Sequence, residues 1–344
     1  MRRAPFRFCI PRLVAPGSCD DLWRMNRSLH LTRLVSLTAA LAACAPRGAV
    51  STAPISVPGV RAVEVSTGAN IDFDALVSRI ASADVVFFGE QHDDPETHRV
   101  EFGLLDAIGR TGRPLILSLE MFERDAQPLL NDYLAGRVSE ADFLAKSRPW
   151  DRYITDYRPM VELAKAKGWP VIASNIPRPM ASAVGRKGLA ALDTLTPSER
   201  TWAAKDIQCP DDAYKARFMD TMRGHSPGGA PSSAGDTLPT AAANRFYFAQ
   251  CAKDETMAES IVEARNRAGG NPLIVHYDGA FHSDYRQGTV DRVRRRATNL
   301  RLTVITAVPV TDQTTATLND HSGRADFIIF TKRIPPKPPA PPRP

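Results

Sequence analysis

Short apolar runs separated by longer amphipathic stretches dominate this chain from residue 84 onward. Six of the runs read as β-strands: Asp84–Phe88, Leu115–Leu119, Pro170–Ala173, Leu273–His276, Thr303–Val308 and Phe327–Phe330. They are continuous rather than alternating, and rich in Val, Ile, Leu and Phe, as strands covered on both faces are. Helical stretches between them predict an α/β fold, a mostly parallel sheet flanked by helices. The first crossover is explicit. Asp94-Pro95-Glu96 offers an N-cap, a proline at the first helical position and an acidic first turn. Val100, Leu104, Leu105 and Ile108 then share one helical face, and Gly109 and Gly112 end the helix.

About a hundred residues part the third run from the fourth, too many for a simple crossover. Helical patterns over Pro197–Lys205, Ala213–Met222 and Ala241–Arg267 predict a smaller helical subdomain inserted there, across about residues 178–270. Ser226–Leu238 within it is a Gly/Pro/Ser loop, and residues 334–344 form a proline-rich, extended tail. The domain so bounded spans 69–333.

The N-terminus changes the picture. From Met25 a basic start leads into the apolar run Leu34–Ala43 and then Cys44. That is a secretory signal, too short to span a bilayer, and Leu41-Ala42-Ala43-Cys44 matches a lipobox whose cysteine is acylated. Residues 1–43 are expected to be a signal peptide preceded by an upstream start assigned in error. Residues 44–68 would be the lipidated cysteine and a tether with Pro46, Pro54, Pro58 and Gly59. Acyl chains at Cys44 would hold the chain to a membrane without a transmembrane helix. Ala45, where aspartate is absent, points to the outer membrane facing the periplasm. Cys209 and Cys251 would then be the remaining cysteines, either bonded or two free thiols.

A net charge of +6 is spread along the 344 residues, which argues against nucleic acid as a partner. The one basic cluster, Arg292 with Arg294, Arg295 and Arg296, reads as a solvated helix end or an anion site.

Polar residues that break the apolar pattern lie just after strands: Glu90 and His92, then Glu120, then Asn175, then His282. In open parallel sheets ligands bind beyond the carboxyl ends of strands, so these tips are expected to meet at one crevice. Gly89 to His92 and Gly279 to His282 share a Gly-x-x-His spacing, in which the glycine is expected to let the backbone turn sharply. The two imidazoles with Glu90 and Glu120 suit a divalent transition metal or acid–base chemistry, unless they are polar loop residues satisfied locally. His98 reads either as a site residue or as exposed helix surface, and His276 as a hydrogen-bonded core residue.

At these residues the chain resembles the ChaN-like haem-binding lipoproteins, a branch of the Tiki/erythromycin-esterase-like group. The resemblance runs from about Asp84 to Val308. It rests on Phe88-Gly89-Glu90-Gln91-His92-Asp93-Asp94-Pro95-Glu96-Thr97-His98 and Leu119-Glu120-Met121-Phe122-Glu123-Arg124-Asp125-Ala126-Gln127. Trp150, Tyr157-Arg158-Pro159, Ala173-Ser174-Asn175-Ile176-Pro177-Arg178, Gln250–Ala258 and Gly279-Ala280-Phe281-His282 carry the rest. The resemblance implies a haem-binding protein of haem or iron uptake, storage or transfer, dimeric on haem binding. A tyrosine would be the iron ligand and a histidine would lie nearby. Tyr277 and Tyr285 beside His282 are the candidates, with His92, and Arg178 or Arg286 would pair with propionates. The superfamily equally carries a second expectation, a metal-dependent hydrolase using His92, His282, Glu90 and Glu120. Binding is the favoured reading and enzyme activity is left open.

Overall fold

The computed structural model describes residues 57, 59–223 and 240–333. The signal peptide, Cys44, most of the tether, the Ser226–Leu238 loop and the 334–344 tail therefore lie outside the described residues. Eight strands form one sheet: β1 (Arg61–Glu64), β2 (Ala69–Ile71), β3 (Val85–Glu90), β4 (Leu115–Glu123), β5 (Val171–Asn175), β6 (Leu273–Gly279), β7 (Leu302–Val310) and β8 (Phe327–Lys332). Their spatial order is β2-β1-β8-β7-β3-β6-β4-β5. The six strands read from the sequence pair in parallel, and β1 adds antiparallel to β8 and to β2. Residues 61–64, expected to be tether, are thus a strand of the sheet, flanked by β8 and by the edge strand β2, with Ala62 and Val63 buried.

Among the described residues ten α-helices connect the strands: α1 (Phe73–Ile80), α2 (Pro95–Gly109), α3 (Gln127–Leu134), α4 (Glu140–Ser147), α5 (Arg158–Lys167), α6 (Arg178–Lys187), α7 (Pro197–Arg200), α8 (Ala213–Arg223), α9 (Thr240–Ala268) and α10 (Gly288–Arg296). None is long and apolar enough to cross a membrane. One face of the sheet packs Val86, Phe88, Leu117 and Val275 against Val100, Leu104 and Ile108 of α2 and against α5. The opposite face packs Val85, Phe87 and Ile274 against Ala258 and Ile261 of α9 and Val290 and Val293 of α10. Both faces are covered, which is why the strands read as unbroken apolar runs.

Helices α6 to α9 form the helical insertion between β5 and β6, with small cores of their own around Val184 and Ala252 and around Tyr214 and Tyr247. Within it, α7 is shorter than the sequence predicts. Thr196 and Glu199 close a capping box at its start, and Trp202 already lies beyond its end. Asp94 also departs from expectation: its side chain caps no helical N–H. It accepts instead from Thr97 Oγ1 at 2.6 Å and Thr331 Oγ1 at 2.7 Å, tying the start of α2 to β8. The arginine cluster of α10 is solvated only in part: Arg292, Arg295 and Arg296 converge on the buried carboxylate of Glu255, while Arg294 stays exposed beside Asp291. Cys209 and Cys251 are free thiols.

Candidate functional site

Chain order reverses around β3: β4 and β5 lie to one side of it, β7 and β8 to the other, and β6 slots between β3 and β4. Such switch points open a crevice at the carboxyl ends of the strands. Glu90 is the last residue of β3 and pairs in register with Gly279, the last of β6, while Gly89 pairs with Asp278. The two Gly-x-x-His motifs therefore start side by side on neighbouring strands. The predicted acids belong to the strands rather than to the loops after them, since β4 runs on through Glu120 to Glu123.

Neither motif glycine adopts the left-handed backbone expected of a sharp turn. The missing side chain matters instead. A Cβ on Gly279 would stand 2.7 Å from His92 Nε2, and one on Gly89 would stand 2.9 Å from Ala280 Cα and 2.8 Å from Ser283 Oγ. Each glycine makes room for the other motif. Gly89→Ala meets backbone, which cannot swing aside, so it is expected to destabilise the protein by about 1–3 kcal/mol through overpacking. Urea unfolding measures this, and a change below about 0.5 kcal/mol would contradict the packing role.

Electrostatics then sort the four polar residues into two pairs. His92 Nδ1 lies 2.5 Å from Glu90 Oε1, which also accepts from Tyr157 OH at 2.6 Å. His282 Nε2 lies 3.4 Å from Glu120 Oε1, and His282 Nδ1 donates to Asp254 at 2.7 Å. Glu120 Oε2 accepts the Gly279 N–H at 2.8 Å, fixing the carboxylate against the tip of β6. Asp254 further accepts from Tyr214 OH at 2.7 Å and Thr289 Oγ1 at 2.9 Å. Burial opposes charge on His282, yet Glu120 and Asp254 together push its imidazolium up to about 10. Burial likewise opposes charge on Glu120, and the His282 imidazolium overrides it, holding the carboxyl well below its ordinary range. Glu90 goes the other way: burial, reinforced by the carboxylate of Glu101, pushes it up to about 8.

A crevice of about 410 Å³ opens above these residues, lined by Glu90, His92, Gln250, Gly279 and His282 and walled by Phe218 and Phe281. A smaller pocket of about 240 Å³ shares His92 and is walled by Trp150, Tyr157 and Arg178. The His92 ring, 44% exposed at its side chain, stands edge-on to Trp150 at 4.9 Å and parts the two hollows.

Several expected site residues land elsewhere. Tyr277 pairs in register with Phe88 and Leu119, short of the strand tips, and is fully buried, with its hydroxyl donating to the Glu101 carbonyl at 2.9 Å. It is a core residue and cannot reach a ligand in the crevice. Tyr285 stays available: its ring is 42% exposed, and Arg217 lies over both this ring and that of Phe281. Arg178 is exposed at the start of α6 on the smaller pocket. Arg286 instead pairs with Asp326. The Asn175 side chain turns back to the Ile176 N–H at 2.9 Å. His276 is a core residue, bonded to Ser118 Oγ at 2.9 Å and pushed down to about 3 by burial.

The predicted metal set of His92, His282, Glu90 and Glu120 does not close on one point. Among the described residues, the group of three donor atoms near enough to share an ion, all within 4.8 Å, is Glu90, His98 and Glu101. His98 is buried, not helix surface. Glu101 and Asp254 escaped sequence reasoning, although each left a signal. Both are acids on the inward, apolar stripe of a helix, Glu101 in line with Leu104 and Ile108, and Asp254 with Ala258 and Ile261.

The family model described as haem-binding uptake, Tiki superfamily, ChaN matches residues 76–293, well over half of the chain. Among solved structures, ChaN of Campylobacter jejuni, determined for its cofacial heme binding, superposes with a TM-score of 0.57 at 14% identity, covering 78% of this chain and 96% of that one. An erythromycin esterase, EreC, in its open conformation gives a TM-score of 0.39 at 11% identity over 70% of this chain and 74% of its own. A search of curated proteins finds no match. With the crevice at the switch point and both Gly-x-x-His motifs inside the matched span, the chain belongs to the ChaN family of haem-binding uptake proteins in the Tiki superfamily.

Proposed function

We propose that this protein binds haem at the crevice beyond β3, β4 and β6, as an envelope protein that takes up, stores or hands on haem. Tyr285 carries the reading. Of the seven tyrosines, six are at most 2% exposed, and Tyr285 alone presents its ring to solvent, next in the chain to Asp284 of the crevice wall and sharing Arg217 with Phe281. It is held at a φ of 61°, a left-handed conformation that costs a tyrosine energy and persists at sites where surrounding structure imposes it. A phenolate oxygen is a hard ligand suited to ferric iron, which bound haem would supply. Phe218 and Phe281 offer an apolar wall to a flat macrocycle, His92 offers an accessible imidazole, and Arg178 can meet a propionate with a two-pronged hydrogen bond.

The crevice is open on one side, so a second copy of the chain, docking on haem, would complete it as a homodimer. Anchoring through lipid at Cys44 is supported by the lipobox, and an outer-membrane location facing the periplasm by Ala45 after it. In this arrangement the residues after Cys44 tether to the bilayer a domain that begins ahead of residue 69, at β1, and carries the helical insertion. Adding hemin to the purified chain is expected to produce a saturable Soret band together with a rise in molecular size. No spectral change at micromolar hemin would overturn the proposal.

A further inference from the structure

Beneath the crevice lies a group of donors that haem binding does not use. His98 Nδ1 is 2.9 Å from Glu101 Oε2 and 3.7 Å from Glu90 Oε2. All three residues are at most 4% exposed. Glu90 Oε2 faces the group and has no hydrogen-bond partner, and neither has Glu101 Oε1. Buried polar atoms are almost always partnered, so two orphaned carboxylate oxygens beside one imidazole are an exception that requires a cause. Asp156 and Asp278 surround Glu101 with further acidic groups, and Arg152 is engaged with Asp156.

We propose that Glu90, His98 and Glu101 form a buried site for one divalent transition-metal ion beneath the haem crevice, sharing only Glu90 with its lining. Donor separations of this size match those around an ion with ligand distances of about 2.0–2.2 Å, after a small contraction. One imidazole and two carboxylates favour a first-row ion such as Zn²⁺, Mn²⁺ or Fe²⁺ over Mg²⁺. The outer shell is already in place. His98 Nε2 is held by the His92 carbonyl at 3.2 Å and by Asp156 Oδ2 at 3.4 Å, which turns Nδ1 toward the two acids. Tyr157 and His92 occupy Glu90 Oε1 and leave Oε2 free to face inward. A ligating histidine whose second nitrogen meets a carbonyl or carboxylate is the usual arrangement at metal centres. A cation here would also compensate the burial of two carboxyl groups in their charged form, which a dry interior otherwise disfavours.

The inference does not rest on haem binding, and its test uses no haem. The purified full chain is stripped with a chelator and equilibrated with Zn²⁺ alone, and bound zinc and thermal unfolding are measured. Wild type is expected to keep one zinc per chain that Glu101→Gln weakens at least tenfold, as loss of a ligand exceeds the roughly 10–100-fold cost of losing an outer-shell partner. Zinc should raise the unfolding temperature of wild type and not of Glu101→Gln. Glu101→Asp, which keeps the charge but withdraws the oxygen, serves as a second variant and should also bind more weakly. A wild-type chain that retains no zinc would overturn the proposal. So would zinc that both Glu101 variants hold as tightly as wild type, or zinc lost only in His282→Ala.

Discussion

Replacing Asp254 with alanine is expected to lower the free energy of unfolding by about 3–5 kcal/mol, the usual cost of stripping one partner from a buried ion pair. Asp254 is wholly buried and receives His282, Tyr214 and Thr289 at once. Its loss leaves a buried imidazolium facing Glu120 alone, together with two hydroxyls lacking their acceptor. The variant should also change how stability depends on pH. His282 has its proton affinity raised in the folded state, from 6.5 to about 10, so its contribution is complete below pH 6.5 and is lost as pH climbs toward 10. Glu120 and Asp254 are displaced downward, so theirs is present at neutral pH and lost in acid. Wild type should therefore weaken on both sides of neutrality, and Asp254→Ala should flatten the alkaline side. Urea unfolding across that range, with the His282 ring followed by NMR, measures both effects. A loss under about 1 kcal/mol with the alkaline slope intact would show that Asp254 is not what holds His282 charged.

Tyr285→Phe is expected to weaken hemin binding on the order of a hundredfold, about 2.8 kcal/mol. The substitution removes one oxygen and keeps the ring beneath Arg217, whose guanidinium carbon lies 5.2 Å from its centroid. Stability should stay within about 0.5 kcal/mol, because the residue is substantially exposed. A ligation change thereby separates from a folding change. The absorption spectrum of any residual complex should shift as well, since the ligand atom sets the iron's electronic state. Tyr277→Phe is the informative contrast: its hydroxyl serves the Glu101 carbonyl, so it should cost stability and leave hemin affinity unchanged. Equal affinity in wild type and Tyr285→Phe would remove this tyrosine from the site and direct attention to His92.

Much of this architecture could be read from the residues. Continuous apolar runs gave the six parallel strands because both faces of the sheet are covered. Polar residues at strand tips gave the crevice because a parallel sheet brings those tips together. Strands β1 and β2 escaped for an equally physical reason: β1 is four residues long with only its middle two buried, and β2 has none buried. Strands that short carry no period. Tyr277 misled because, along a strand buried on both faces, periodicity cannot say how far a residue sits from the tip. His98 misled in the opposite sense, since the Asp94-Pro95-Glu96 start resembles a solvated helix end although the first turn of α2 is pressed between β8 and the crevice.

The interlocking of Gly89 with Ala280, and of Gly279 with His92, bears on heredity as well as on packing. Two stretches far apart in the gene were shaped as mould and cast, so a bulkier residue in one would be tolerated only after the other had shifted. Drift at either position should thus be coupled, with double replacements departing from the sum of the single ones. A pocket transplanted into another scaffold would have to carry both loops together.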